Sequence, residues 1–219
     1  MRGEPVFIFG AGGFGCELAW LISEIDPSGK RYDLRGFIDD DPAKQGRDLN
    51  GLPVFSLDQA RELAPGAIVA RGVGAPRSAK AVMTRCMQTG FRWGSFIDPQ
   101  TRKSSLVEVG QGTVICAGCV LTTNVRLGRQ VQVNPHCTIM HNSELGDYVS
   151  LAPGVRISGF VIAGEGAYFG TGAVVINGSV DRPLVIGDWA VVGAGACVLG
   201  DVPPGQTVAG VPAKPLRKG

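Results

Sequence analysis

From Val109 onward a large apolar residue recurs at every sixth position: Val109, Ile115, Leu121, Leu127, Val133, Ile139, Leu145, Leu151, Ile157, then Phe169 and Val175, with only Ala163 breaking the size rule. The five residues DRPLV, 181–185, interrupt the run and predict a loop protruding from the prism after Val180, and the register resumes at Ile186, Val192 and Val198. The fifth position of each hexad is Thr, Cys, Val, Ser or Ala, and the second is often Gly. Neither a helix, with a period of about 3.6, nor a flat strand, with a period of about 2, produces this spacing. A hexapeptide period is the signature of a parallel β-helix, in which six residues form one flat side and three sides close a coil of roughly 18 residues. The large side chain then fills the prism, the small fifth residue fits where the prism narrows, and glycine is expected to allow the turn at the corner.

The chain before this run has a different pattern. PVFIFG is a short apolar strand ending in glycine. It is followed by CELAWLISEID, with Leu18, Leu21, Ile22 and Ile25 on one helical face. YDLRGFIDDDP predicts a second strand ending in a turn, and SLDQARELA a helix capped by Ser56. AIVARGVG predicts a third strand and PRSAKAVMTRCMQTG a helix closed by Gly90. This order implies a small parallel sheet with helices packed on it. The chain therefore divides into an α/β half-Rossmann domain over residues 1–99 and a β-helix over residues 100–219.

The composition excludes several classes. With 21 basic and 19 acidic residues and a net charge of +2, no electrostatic footprint for nucleic acid or a membrane surface exists. The N-terminal apolar run is too short for a signal sequence or a membrane span, so a cytoplasmic protein is expected. Six cysteines in such a chain are no disulfide framework. Cys116 and Cys119 form a C-x-x-C, but no second pair follows and only two histidines exist, so no metal site is expected. The 33 glycines are roughly twice the usual share of about 7%.

His141 occupies a third hexad position, where a β-helix needs no polar group. One coil of about 18 residues on lies Gly159, and stacked strands are about 4.8 Å apart. A base beside an exposed backbone N–H, with no side chain between, suits acyl transfer: one accepts the proton of the attacking amine or hydroxyl, the other stabilises the oxyanion. Taken alone, His141 also reads as a surface histidine on a solenoid. His136, at a fourth position, is read as structural.

The hexads, the segment HNSELGDYVSLAPGVRISG, the closing VAGVPAKPL and the glycine-rich N-terminal domain together resemble the bacterial sugar acetyltransferases of the sialic acid O-acetyltransferase type, which include N-acetyltransferases of nucleotide-linked amino sugars. The resemblance implies a left-handed β-helix, a homotrimer with active sites between subunits, and acetyl-CoA as acyl donor. It implies that a histidine followed by an acidic residue occupies the place of His141 and Asn142, and that the glycine at 159 contacts the acetyl thioester. Asn142 departs from that pattern: it can hold an imidazole tautomer, but a neutral amide does not stabilise the imidazolium as a carboxylate does. The base then works with less help, or the amine arrives deprotonated, or Glu144 or a neighbouring subunit supplies the charge. For the coenzyme, the matching elements are Gly159, Gly170, Ala194, Gly195 and Lys214.

FGAGGFG fits G-x-G-x-x-G through Gly10, Gly12 and Gly15 between a strand and a helix. Three strands suit a mononucleotide better than the two βαβαβ halves of a dinucleotide fold. The resemblance implies that this half-fold holds the nucleotide of a sugar substrate at Gly12, Gly13 and Phe14, at Asp39 and Asp40, and at Gly74 and Arg77. Alternatively Gly12 and Gly13 only let the helix pack close to the sheet. The reading reached is an acetyl-CoA-dependent sugar N- or O-acetyltransferase with His141, Asn142 and Gly159 at its centre, reacting by direct transfer because no cysteine sits beside a base. Its rivals are a catalytically inactive nucleotide- or CoA-binding solenoid and an NAD-binding protein.

Overall fold

The computed structural model describes residues 3–216, and the chain divides into two units, Met1–Asp98 and Pro99–Gly219. In the first unit the strands are β1 (Glu4–Phe9), β2 (Tyr32–Ile38), β3 (Asp48–Leu49), β4 (Leu52–Phe55), β5 (Ile68–Arg71) and β6 (Arg92–Trp93). They form one sheet in the order β3-β4-β2-β1-β5-β6, and every pairing but β3–β4 is parallel. β1 is central because its Val6, Phe7 and Ile8 are fully buried, as a strand covered on both faces requires.

The helices are α1 (Gly13–Ile25), α2 (Leu57–Leu63) and α3 (Pro76–Gln88). α1 buries Leu18, Leu21 and Ile22. α2 begins with a capping box in which the Ser56 side chain and Gln59 satisfy each other's backbone N–H groups. α3 starts with Pro76 in its first turn and buries Ala79, Met83 and Cys86, one stripe at helical spacing. The hairpin β3–β4 is additional to the three strands expected from sequence. Its Asn50–Gly51 turn has φ of 54° and 79°, the left-handed pair that tight hairpins demand.

The second unit is a parallel β-helix. One face carries Val114–Ile115, Gln132–Val133, Ser150–Leu151, Tyr168–Phe169 and Val191–Val192. The second carries Val120–Leu121, Thr138–Ile139, Arg156–Ile157, Val174–Val175 and Cys197–Val198. The third carries Arg126–Leu127, Glu144–Leu145, Val161–Ala163 and Leu184–Ile186. The hexad register is the pairing register: Val133 pairs with Leu151, Ile139 with Ile157 and Leu127 with Leu145. Past the insertion the partners are five residues further on, Ala163 with Ile186 and Phe169 with Val192. The first hexad positions from Ile115 to Val198 are 0–2% exposed and form the core.

One expectation is refined and another corrected. The corner is turned at the fourth hexad position, by glycine in some coils, as expected, and by other residues in the rest. Asn124, Gln130, His136, Asn142, Tyr148, Phe160 and Trp189 all have φ between 55° and 62°, and Gly112, Gly118, Gly154, Gly166, Gly172 and Gly195 share the left-handed region. Second-position glycines serve close approach instead: a Cβ on Gly128 would lie 2.7 Å from the Asp147 backbone nitrogen on the next coil. The insertion also does not form a loop over 181–185, because Leu184 and Val185 belong to a strand and Leu184 is 5% exposed. The loop lies earlier, closed by Gly178 N–H to Gly159 C=O at 3.0 Å and Leu184 N–H to Phe160 C=O at 3.0 Å.

Candidate active site

The corner between the second and third faces gathers residues 122–125, 140–143 and 158–160 on successive coils, with the insertion loop on the coil above. Behind it, fully buried Ser143 ties two coils together: its hydroxyl donates to Ser158 C=O at 2.9 Å and accepts from Val161 N–H at 3.2 Å. Asn142 N–H donates to Thr123 C=O at 3.2 Å, and Phe160 N–H to His141 C=O at 3.1 Å. Third-position carbonyls are thus consumed by the ladder, whereas the Gly159 N–H donates to no described residue.

The exposed imidazole of His141 lies over Gly159. A Cβ placed on Gly159 would fall 2.5 Å from its Cε1, 2.8 Å from Nε2 and 2.9 Å from Nδ1, so only glycine admits the ring in this pose. Phe160 meets the ring edge-on, with centroids 5.2 Å apart and planes at 83°. It does so from φ of 56°, the left-handed value shared by the other fourth-position corner residues. Asn142 Nδ2 is 3.1 Å from His141 Nδ1, and Asn142 Oδ1 is 3.0 Å from Asn124 Nδ2 on the coil below. Asn124 and Phe160 were not read from sequence, although each lies one coil from Asn142 in the fourth-position column.

Glu144, one sequence candidate for charge support, is engaged elsewhere. Its Oε1 is 3.5 Å from Arg126 Nη1, and Arg126 Nε is 3.0 Å from Glu108 Oε2. These carboxylates raise the Arg126 pKa, the Glu108 hydrogen bond most. A cavity of about 430 Å³ opens here, lined by Asn124, Asn142, Arg126 and the two glutamates among others.

The predicted coenzyme residues fall in separate places. Gly159 belongs to the corner just described. Gly170, Ala194 and Gly195 lie at the corner between the first and second faces, where a Cβ on Gly170 would come within 2.5 Å of the Ala194 nitrogen and Gly195 N–H donates to Thr171 C=O at 2.8 Å. Lys214 is exposed in the antiparallel strand Lys214–Pro215 paired with Thr207–Ala209. Cys116, Cys119 and Cys137 are buried. Hydrogen bonding to Cys119 and burial push the Cys137 thiol far up, which leaves it an inert core residue. Among the described residues no three His, Cys, Asp or Glu side chains cluster to hold a metal, and no helix is long and apolar enough to cross a membrane.

In the first unit the predicted substrate residues converge on the carboxyl ends of β1, β2 and β5. Gly12 is the N-cap of α1, with Gly13 and Phe14 in its first turn. A Cβ on Gly12 or Gly13 would meet nothing within 4 Å, so helix packing does not explain them. Gly10, with φ of 112°, and Gly15, whose Cβ would collide with the Gly10 carbonyl, serve that packing. Asp39 accepts Ala11 N–H at 2.9 Å, Asp41 N–H at 3.0 Å and the Lys44 ammonium at 2.9 Å. Burial raises its pKa, but these hydrogen bonds outweigh it and hold the carboxyl below its usual range. Asp40 makes a bidentate pair with Arg85 at 2.6 and 2.7 Å. Gly74 C=O accepts from Arg71 Nη2 at 3.2 Å; that arginine is 1% exposed, and sequence analysis did not single it out. Arg77 is exposed in the first turn of α3.

Residues 124–159 match the bacterial transferase hexapeptide (six repeats) family. The chain is 32% identical over 216 residues to the GDP-perosamine N-acetyltransferase of Escherichia coli O157:H7, with 96% of each chain covered. The chain belongs to the hexapeptide-repeat sugar acetyltransferases. Among solved structures, WeeI from Acinetobacter baumannii AYE superposes with a TM-score of 0.89 at 33% identity, covering 96% of this chain and 99% of the other. PerB from Caulobacter crescentus, solved in complex with CoA and GDP-perosamine, superposes with a TM-score of 0.83 at 28% identity over 97% of both chains. Membership of this acetyltransferase family makes the chain an acetyl-CoA-dependent sugar acetyltransferase.

Proposed function

We propose that the protein transfers the acetyl group of acetyl-CoA directly to the amine of a nucleotide-linked amino sugar, with His141 as general base and the Gly159 N–H as oxyanion donor. The observation that carries this reading is the imidazole lying against Gly159, whose N–H is unused by the ladder. The amine attacks the thioester carbonyl and forms the C–N bond while His141 Nε2 takes the amine proton. The carbonyl oxygen, now an oxyanion, receives the Gly159 N–H. Collapse of the tetrahedral intermediate breaks the C–S bond, and the imidazolium returns its proton to the departing CoA thiolate. An amine is preferred to a hydroxyl because a relative aligned over 96% of both chains is named an N-acetyltransferase.

The nucleotide is assigned to residues 1–99. β1 stands between β2 and β5, so the strand order reverses beside it, and ligands of open α/β sheets bind at such a switch point. The bare backbone at Gly12 and Gly13 opens the N-terminus of α1 to a diphosphate, and Gly74 and Arg77 flank the same end of the sheet. The Asp39 and Asp40 carboxylates already hold the glycine loop and Arg85, so they shape the nucleotide site from below. The coenzyme residues lie on two corners of one prism, which supports a homotrimer whose neighbouring chains complete each acetyl-CoA groove. With it we adopt the left-handed coil and the cytoplasmic location.

Mass spectrometry of a panel of nucleotide-linked amino sugars incubated with acetyl-CoA tests this. Wild type should add one acetyl group to a member of the panel, and His141→Ala should slow turnover by about 100- to 10,000-fold, the usual contribution of a positioned base. Equal rates in the two proteins would remove His141 from the mechanism. Coenzyme binding without turnover would favour the inactive solenoid.

A further inference from the structure

We propose that Asn124 is a positioning residue for the transfer: through Asn142 it sets which nitrogen of His141 carries the proton. The proposal rests on His141 being the base. Asn124 and Asn142 stand one above the other at fourth hexad positions, with φ of 55° and 56°. Their amides are 3.0 Å apart, and Asn142 reaches His141 Nδ1 at 3.1 Å, so three side chains form one hydrogen-bonded row.

Such a row has two polarities, because a half-turn of each amide exchanges its oxygen and nitrogen at unchanged distances. In one, the orientation the structure carries, Asn124 donates to Asn142 and Asn142 donates to Nδ1. The neutral ring then carries its proton on Nε2 and offers no lone pair there. In the other, Nδ1–H donates to Asn142 Oδ1, Asn142 Nδ2 donates to Asn124 Oδ1, and Nε2 is free to accept. When Nε2 takes the amine proton both ring nitrogens become donors, so only the second polarity accommodates the imidazolium. Asn124 is the terminal acceptor of that second row. By engaging the Asn142 NH₂ it polarises the Asn142 carbonyl toward Nδ1–H, a cooperative gain that Asn142 alone lacks.

The charged groups of the adjoining cavity do not substitute for this acceptor. Glu108 and Glu144 are both held by Arg126, and no bond from either glutamate reaches Asn124, Asn142 or His141 among the described residues.

The test compares Asn124→Gly and Asn124→Asp in the full-length protein. Glycine suits φ of 55° and removes the amide, so a merely structural role predicts an unharmed variant. A carboxylate can only accept, so aspartate enforces the productive polarity. The tautomer is read from imidazole nitrogen shifts by NMR, with His136, the other of the two histidines, as internal control. Expected are an Nδ1–H tautomer at His141 in wild type and Asn124→Asp, and a shift toward Nε2–H in Asn124→Gly. With it, kcat should fall roughly 3- to 10-fold, the factor that one neutral hydrogen bond supports, at unchanged KM for both substrates. An unaltered tautomer and kcat in Asn124→Gly, or an Asn124→Asp variant as slow as the glycine one, would overturn the proposal. A shifted tautomer with unchanged turnover would uphold the relay and dismiss His141 as the base.

Discussion

At the scale of single residues the site depends on an absence. Gly159 lies outside the left-handed φ region, so alanine meets no such backbone strain there, yet the added Cβ would come 2.5 Å from Cε1 and 2.8 Å from Nε2 of His141. The clash falls on the end of a side chain and not on backbone, so the ring swings aside and the coil survives. Gly159→Ala should therefore melt within a few degrees of wild type and lose about 100-fold in kcat/KM, the scale of a misplacement of about 1 Å at a reacting group. Steady-state kinetics beside a thermal melt check this, and a variant of normal activity would show that the stacked pose is not the catalytic one. His136 is the contrasting case. It stacks on Gly118 one coil below and has a left-handed φ of 61°, so as a turn residue it fills a corner.

At the scale of elements the hexad register was fully legible, including its continuation beyond the insertion, because one large residue must enter the prism per side. The left-handed corner residues were not legible. Asn, Gln, His, Tyr, Phe and Trp carry no common turn signal, and Gln130, His136 and Trp189 each lie over a glycine of the coil beneath. Asn124 and Phe160 were hidden for the same reason, yet both follow from Asn142 once the 18-residue coil is applied to the fourth position. The Asn50–Gly51 hairpin, by contrast, is written in the sequence and only needed its turn chemistry to be weighed. The insertion offers a test of how independent such elements are. Gly178 and Leu184 each bond to the coil below, and a Cβ on Gly178 would touch the Leu184 nitrogen, so the loop's two ends already adjoin. Deleting residues 179–183 restores the uniform 18-residue repeat. The shortened chain should fold with a Tm within about 4 °C of wild type, since surface loops tolerate deletion. A collapse in Tm would mean that the loop supports the coil.

At the scale of the whole molecule the division of the coenzyme residues decides how many chains make one site. His141 and Gly159 occupy the corner between the second and third faces, while Gly170, Ala194 and Gly195 occupy the corner between the first and second. A full face of the prism separates them, which is why the proposed acetyl-CoA groove draws on two chains. In the proposed cyclic trimer the first corner of one chain would meet the second corner of the next, and each groove would draw one set from each. Two dead variants should then rescue one another. His141→Ala removes the base, and Ala194→Trp puts an indole in the groove at an exposed position without disturbing the core. Each alone should be inactive. Co-expressed under separate affinity tags and purified through both, they should recover about one third of wild-type turnover, because every mixed cyclic trimer pairs an intact His141 with an intact neighbouring Ala194 at one of its three sites. A site built within one chain has no such partner to borrow, and the mixture would stay as inactive as its parts.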